Sequence, residues 1–289
     1  MLALTYHRSV PAFALVRASG GNPQVATSAL SMLHLGDVPE PELPAAGWMR
    51  VMPSLSGICG SDLAAIGGHA SLYLDPLTSY PFVPGHEVVG VLEDGSRVVI
   101  EPALGCVVRG IEPSCPRCAE GRPGLCYNAT EGPIEVGLQT GYCASTGGGW
   151  GEVLVAHPSQ VHALPATLAD EAAVLIEPFA CCVHAALRGG ASKSDVVVVG
   201  MPGDERVDWA AIWQRELTVM GAYAYGSEPK SKGRRTFELA LEAAPELHLE
   251  RLAAPLFSLG DYRDAIAYAM SAGRLGAVKV AFDLRGLRA

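Results

Sequence analysis

Gly57-Ile-Cys-Gly-Ser-Asp62 and, further along, Pro84-Gly-His-Glu-Val-Val-Gly90 are the stretches that decide the reading of this chain. Between them they offer a thiolate (Cys59), an imidazole (His86) and a carboxylate (Glu87). That donor set suits zinc, which takes sulfur, nitrogen and oxygen ligands in tetrahedral sites. Three protein ligands leave a position for water or substrate, which marks a catalytic rather than a structural zinc. Ser61 lies beside the cysteine, where its hydroxyl can accept a proton from a zinc-bound hydroxyl. Any one of these residues alone reads as a buried thiol or a satisfied core histidine. The two motifs together point to a metal centre.

Working outward, the 289 residues allow one large domain or two ordinary ones. With 49% hydrophobic and 18% charged residues, disorder is excluded for the bulk of the chain. A net charge of −9 argues against a nucleic-acid partner, whose phosphates demand a basic surface. The 33 glycines and 21 prolines favour turns over long helices. The N-terminus lacks a basic segment followed by an apolar one, so a cytoplasmic protein is expected. The most apolar stretch, 172–187, is interrupted by Glu177 and Pro178, so no membrane span is expected.

Eight cysteines in such a chain point to metal ligands or catalytic groups rather than a disulfide scaffold. Cys115, Cys118 and Cys126 follow a C-x2-C-x7-C spacing in a Gly/Pro-rich loop, with Cys106 upstream. Cys143, Cys181 and Cys182 have no partner pattern and read as small core residues.

The element pattern changes part-way along the chain. Residues 1–45 read as irregular and punctuated by Pro and Gly. Strands are expected over 48–55, 88–92, 97–100, 150–156 and 160–164, with Glu93-Asp-Gly-Ser96 joining the second and third as a hairpin. Beyond them, 169–187 reads as a helix broken or kinked at Pro178, and 195–200 as a buried strand. A short helix over 209–215 and a strand over 216–225 follow. Helices over 235–244 and 260–272 and a closing strand over 278–282 complete the pattern.

The two opening motifs resemble the zinc-dependent medium-chain dehydrogenase/reductase family, to which alcohol, sorbitol, threonine and glucose dehydrogenases belong. The resemblance covers about 1–187 and again 195–289. It implies that Cys59 and His86 are zinc ligands, with Glu87 beside them, and that Ser61 is the proton-relay hydroxyl. Glu177, in Leu175-Ile-Glu-Pro178, matches a family carboxylate that also reaches the zinc. A carboxylate complementing a helix start remains the alternative for it. The family also carries a structural zinc on four cysteines. Here the position of its first cysteine is Glu112, and Cys106 is favoured over Glu112 as the fourth ligand, because thiolate suits zinc better. A reduced, metal-free loop is the alternative. His69, Tyr73 and Trp150 read either as pocket residues or as ordinary loop and core residues.

The resemblance implies NAD(P) and a doubly wound domain to bind it, with a G-x-G-x-x-G fingerprint between strand and helix. The nearest approach, Asp195-Val-Val-Val-Val-Gly-Met-Pro-Gly-Asp204, places Pro202 where a glycine must let the backbone approach the pyrophosphate. Gly147-Gly-Gly-Trp-Gly151 follows no strand and lacks the spacing. Residues 189–194 have linker composition and occupy the place of a whole nucleotide-binding half. The expected fold is therefore mainly β with an α/β remnant. A GroES-like β-barrel zinc domain (1–187) precedes a truncated Rossmann remnant and linker (188–225) and a C-terminal return to the catalytic domain (226–289).

Two zincs, one catalytic and one structural, are expected, with NAD(P) binding doubtful. The favoured chemistry is zinc Lewis-acid and proton transfer of lyase, hydratase or hydrolase type on a small hydroxyl or carbonyl compound, with Ser61, Glu87 and Glu177 at its centre. An NAD(P)-dependent zinc alcohol or polyol oxidoreductase and a non-catalytic zinc-binding scaffold are the alternatives. A homo-oligomer, dimer or tetramer, is expected, because the strand over 216–225 resembles the element that pairs between subunits in the family.

Overall fold

The computed structural model describes residues 1–189, 195–200, 207 and 209–288. In chain order the elements are β1 (Leu2–Tyr6), α1 (Val10–Ala18), α2 (Pro23–Ala26), β2 (Leu33–Asp37), β3 (Met49–Gly57) and α3 (Gly60–Ile66). Then come β4 (Val88–Leu92), β5 (Arg97–Ile100), α4 (Pro116–Ala119), β6 (Leu154–Ala156), β7 (Val161–Ala163), α5 (Asp170–Ala173) and α6 (Ile176–Gly189). The last third holds β8 (Asp195–Val199), α7 (Trp209–Gln214), β9 (Thr218–Ala222), α8 (Thr236–Ala243), β10 (Ala253–Ser258), α9 (Tyr262–Ala269), α10 (Ala272–Leu275) and β11 (Lys279–Asp283).

Seven strands form the main sheet, in the order β10-β11-β3-β4-β5-β7, with β6 paired to the first residues of β3. All its pairings are antiparallel except β10 with β11. The hairpin expected at 93–96 joins β4 and β5, with Gly95 at φ +83° and the Asp94 carboxylate accepting the Ser96 N–H at 2.9 Å. Strand β3 is the hub. It pairs with β11, β4 and β6, and its end delivers the first motif.

Residues 1–45 are not irregular. β1 and β2 form an antiparallel pair in register Leu2↔Asp37 to Tyr6↔Leu33, and β1 bridges to Phe82 and Gly151. Pro11 and Pro23, which suggested loop, stand in the first turns of α1 and α2 behind the capping side chains Ser9 and Asn22. A proline in that position starts a helix, because the missing N–H has no partner there anyway. The helix expected at 169–187 is two helices. The break falls at 174–175, and Pro178 sits in the first turn of α6, where it is tolerated. Segment 170–189 is apolar and long enough to cross a bilayer by composition alone, yet it serves as a core element, with Ile176, Glu177, Ala180 and His184 buried. The strand β10 was not anticipated.

Two large cores flank the sheet. One gathers β1, β2, α1, α9, Trp150 and Phe282; the other packs α5, α6 and α8 against Leu55, Val89 and Val99. Buried polar ties lock α6 and α8 to the barrel. Glu101 accepts from His162 Nε2 at 2.9 Å and from Arg235 at 2.5 Å, and His184 Nδ1 pairs with Glu228.

Between α6 and α8 the described residues form a two-stranded parallel sheet, β8 with β9, with α7 between them in sequence. Parallel sheets are ordinarily covered on both faces. Here Val199 (49% exposed) and Val219 (42%) lie open, as do Trp209 and Trp213 on α7. Pro202 and most of the proposed bridge 189–194 lie outside the described residues.

Candidate metal centres

Cys59 ends the run from β3 into α3, and His86 and Glu87 immediately precede β4. Because β3 and β4 are antiparallel neighbours, the end of one lies beside the start of the other. The Cys59 Sγ, a His86 ring nitrogen and a Glu87 carboxylate oxygen all fall within 4.8 Å of one another. Gly57 makes this approach possible: a Cβ there would meet Glu87 Oε2 at 1.9 Å. Gly85, at φ +96°, turns the chain into the second motif, where a Cβ would strike Trp150 Cδ1 at 2.5 Å.

A buried network fixes these groups. Asp62 Oδ2 accepts the Cys59 N–H at 2.9 Å, and Asp62 Oδ1 accepts the Tyr142 hydroxyl at 3.1 Å. The same Oδ1 lies 3.6 Å from His86 Nδ1. Burial draws the His86 imidazole down, but Asp62, then Cys59 and Glu177, outweigh it and hold the ring well above its ordinary value. Glu87 is gripped by Lys279 Nζ from β11, at 2.6 and 2.7 Å to its two oxygens. Glu177, 7% exposed at the start of α6, stands outside the tight cluster. Burial pushes its carboxyl up to about 7 against the opposing pull of His86.

The residues fit a metal ion. A thiol, an imidazole and a carboxylate suit zinc, and Ser61 Oγ, two residues after Cys59, is buried without a hydrogen-bond partner among the described residues, as fits a group that would bond to an oxygen held at the metal.

The second cluster is local. Cys106, Cys115, Cys118 and Cys126 bring all four sulfurs within 4.8 Å of one another. Cys106 Sγ to Cys126 Sγ is 3.6 Å, and Cys115 Sγ to Cys126 Sγ is 4.0 Å. Zn–S bonds of about 2.3 Å at tetrahedral angles place sulfurs about 3.8 Å apart. Backbone N–H groups already point at the sulfurs: Cys106 N to Cys118, Cys115 N to Cys106 and Asn128 N to Cys126, each at 3.3 Å. Without a cation, burial pushes Cys126 up to about 11 and Cys118 higher still. The structure brings Cys106 into this cluster and leaves Glu112 exposed outside it.

Arg109 secures the lobe. Its fully buried guanidinium donates to the carbonyls of Leu104, Glu131, Ile134, Glu135 and Gly137 at 2.7–3.3 Å. Sequence reasoning missed Arg109, Lys279 and Tyr142; only the lone basic residue in the apolar closing strand hinted at Lys279. Cys143 is a buried core residue, but Cys182 is exposed and Cys181 half-buried. They lie on α6, whose helical turn sends neighbouring side chains to different faces, which corrects their assignment to the core. Trp150 is core, its Nε1 donating to the Gly57 carbonyl at 3.2 Å, while His69 and Tyr73 are exposed.

Residues 45–166 match the alcohol dehydrogenase GroES-like domain. The chain carries this domain and resembles the zinc-type medium-chain dehydrogenases. It is 31% identical over 166 residues to the starvation-sensing protein RspB of Escherichia coli K12, covering 54% of this chain and 43% of that protein. It is 32% identical over 184 residues to L-galactonate-5-dehydrogenase of the same strain, covering 59% and 47%. The chain thus spans less than half the length of these curated relatives. A crystal structure of RspB from Escherichia coli CFT073 with NADH superposes with TM-score 0.64 at 17% identity, over 98% of this chain and 99% of that one. A zinc-binding dehydrogenase from Clostridium scindens gives TM-score 0.66 at 14% identity, over 98% and 99%. These likenesses establish the fold.

Proposed function

We propose that this chain is a zinc-dependent oxidoreductase of the medium-chain dehydrogenase type acting on a small hydroxyl or carbonyl compound, with Cys59, His86 and Glu87 holding the catalytic zinc. The observation that carries this is the convergence of those three ligand atoms within 4.8 Å. Zinc held there supplies Lewis-acid polarisation of a hydroxyl or carbonyl oxygen. Ser61 Oγ, buried and unpartnered, would accept a hydrogen bond from the substrate hydroxyl. Glu177, poised at about 7, holds or releases a proton beside it near neutral pH. Asp62 and Tyr142 fix the orientation of His86. The second zinc belongs to Cys106, Cys115, Cys118 and Cys126, where no position is left for substrate.

We infer further that 188–225 is a shortened nucleotide domain. Two parallel strands around α7, and a sequence without the G-x-G-x-x-G fingerprint, support that reading. NADH and NADP occupy solved structures similar in fold. The lyase, hydratase or hydrolase expectation draws no support from the relatives, several of which are named dehydrogenases. The exposed Trp209 and Trp213 support a homo-oligomer, and a cytoplasmic location completes the proposal.

Metal analysis and an NAD(P) titration on one sample test it. Two zincs per chain with stoichiometric nicotinamide binding, and reduction with a polyol, are the expected result. Zinc without any nicotinamide binding would move the chemistry to hydride-free zinc catalysis.

A further inference from the structure

Tyr225 lies three residues beyond β9, in a segment pinned from two sides. The Ser227 N–H donates to the Gly121 carbonyl of the cysteine lobe at 2.8 Å. On the other side Gly226 is tied to Thr236 at the start of α8. Its N–H donates to Thr236 Oγ at 3.0 Å, and its carbonyl accepts the Thr236 N–H at 2.9 Å. Gly226 makes the first approach possible: a Cβ there would meet the Gly121 carbonyl oxygen at 2.5 Å. The Tyr225 ring packs on Phe237 of α8, with centroids 5.6 Å apart. The same buried cluster holds Leu175, Ile176 and Ala180 around the start of α6.

Two buried groups meet there, each with an unfilled need. Tyr225 is 5% exposed, and its hydroxyl makes no hydrogen bond among the described residues. A buried donor left unpaired is costly, so it calls for an acceptor. Glu177 is similarly buried. Among the described residues its carboxylate receives one hydrogen bond, a weak one from Cys181 Sγ to Oε1 at 3.9 Å. The Tyr225 hydroxyl lies against this carboxylate, which acts on the phenol more strongly than Glu101 or Cys181 does. A donor without an acceptor thus faces a carboxylate without a strong donor.

We propose that Tyr225 is a positioning residue for Glu177: its hydroxyl donates to the carboxylate and fixes how that carboxylate is turned towards the metal held by Cys59 and His86. Carboxylates at metal sites are oriented by such outer hydrogen bonds, and losing one weakens metal binding about 10- to 100-fold. The pinned backbone around Gly226 and Ser227 keeps the phenol in place. The metal end of this proposal rests on the function proposed above; the pairing of phenol with carboxylate does not.

The test compares wild type, Tyr225→Phe, Glu177→Ala and the double variant. Tyr225→Phe keeps the ring on Phe237 and removes only the hydroxyl. Cobalt affinity at Cys59 and His86 is read by absorption, with the four-cysteine lobe as internal control. Urea midpoints are measured on the zinc-loaded full chains. Tyr225→Phe should weaken cobalt binding at Cys59 and His86 about 10-fold, leave the lobe unchanged, and add no further loss in the Glu177→Ala background. Equal weakening in both backgrounds, weakening at both metal sites, or none in either background overturns the proposal. Cobalt uptake at the lobe alone overturns the zinc reading instead, and the urea midpoints then decide the pairing. Shifts of the single variants that fail to add in the double variant support it; additive shifts overturn it. Should Glu177→Ala fail to fold by circular dichroism, Glu177→Leu takes its place in both measurements.

Discussion

The four sulfurs of Cys106, Cys115, Cys118 and Cys126 come from one lobe, whereas Cys59, His86 and Glu87 are brought together by the pairing of β3 with β4. The lobe closes on itself, with N–H groups on its sulfurs and Arg109 threaded through five of its carbonyls. The other cluster is held from distant parts of the chain: Lys279 on β11, Tyr142 from the segment beyond the lobe, Glu177 from α6. A local cluster has all its ligands fixed by neighbours in sequence and fits a structural role. A long-range cluster with three candidate ligands leaves a fourth position for substrate or water and fits chemistry.

The sharpest way to break this contrast is Arg109→Ala. It takes the donor from five carbonyls, three of them in buried hydrogen bonds, and should cost on the order of 4 kcal/mol or more in urea unfolding, while binding of metal at Cys59 and His86 persists in the folded fraction. If the lobe keeps its metal and stability, it does not depend on this arginine, and the local character of its closure is lost.

Lys279→Met probes the long-range cluster. Leaving Glu87 buried and unpaired should cost about 3–5 kcal/mol in the metal-free protein. Zinc at that centre should recover much of the loss, because the carboxylate then has a cation again. A loss equal with and without zinc, read from paired thermal melts, would show that Glu87 serves only the ion pair.

The pH dependence of stability sharpens it further. The folded Glu177 carboxyl is held at about 7, above its ordinary value, so the native state binds more protons than the unfolded chain between those two values. Its contribution is fully present below the ordinary carboxylate value and is lost as pH rises towards 7. In the metal-free protein the slope amounts to about 3 kcal/mol across that window. Glu177→Gln should flatten the stability profile measured by denaturant titration at each pH; an unchanged profile would remove Glu177 from the site's electrostatics.

The smallest effect is expected from Tyr142→Phe, about 1 kcal/mol in stability for one lost hydrogen bond. Its specific readout is metal affinity. Cobalt titration should show about 10- to 100-fold weaker binding at Cys59 and His86 with no change at the four-cysteine lobe. Equal weakening at both clusters would mean a general loosening instead.

Much of the fold was legible because the β4–β5 hairpin and β8 carry dense β-branched runs, and because α8 and α9 have ordinary helical patterns. The first 45 residues misled because proline marks both loops and helix starts, and only the capping of α1 and α2 by Ser9 and Asn22 separates the two. The strand β10 was hidden because Pro255 lies inside it and it pairs only with β11, at the sheet edge.

By itself the sequence determined which residues can ligate zinc, since a thiol, an imidazole and a carboxylate at these motif positions are chemical facts of the chain. It determined, too, the absence of a glycine-rich nucleotide fingerprint from those 289 residues. Tertiary structure alone decided which candidates meet. Strand pairing set Glu87 against Lys279 and His86 against Asp62, contacts that span up to 192 positions along the chain. Loop closure chose Cys106 over Glu112 for the lobe. The physical reason is that ligand chemistry resides in single side chains, whereas a site's electrostatics come from groups that only folding brings within a few ångströms.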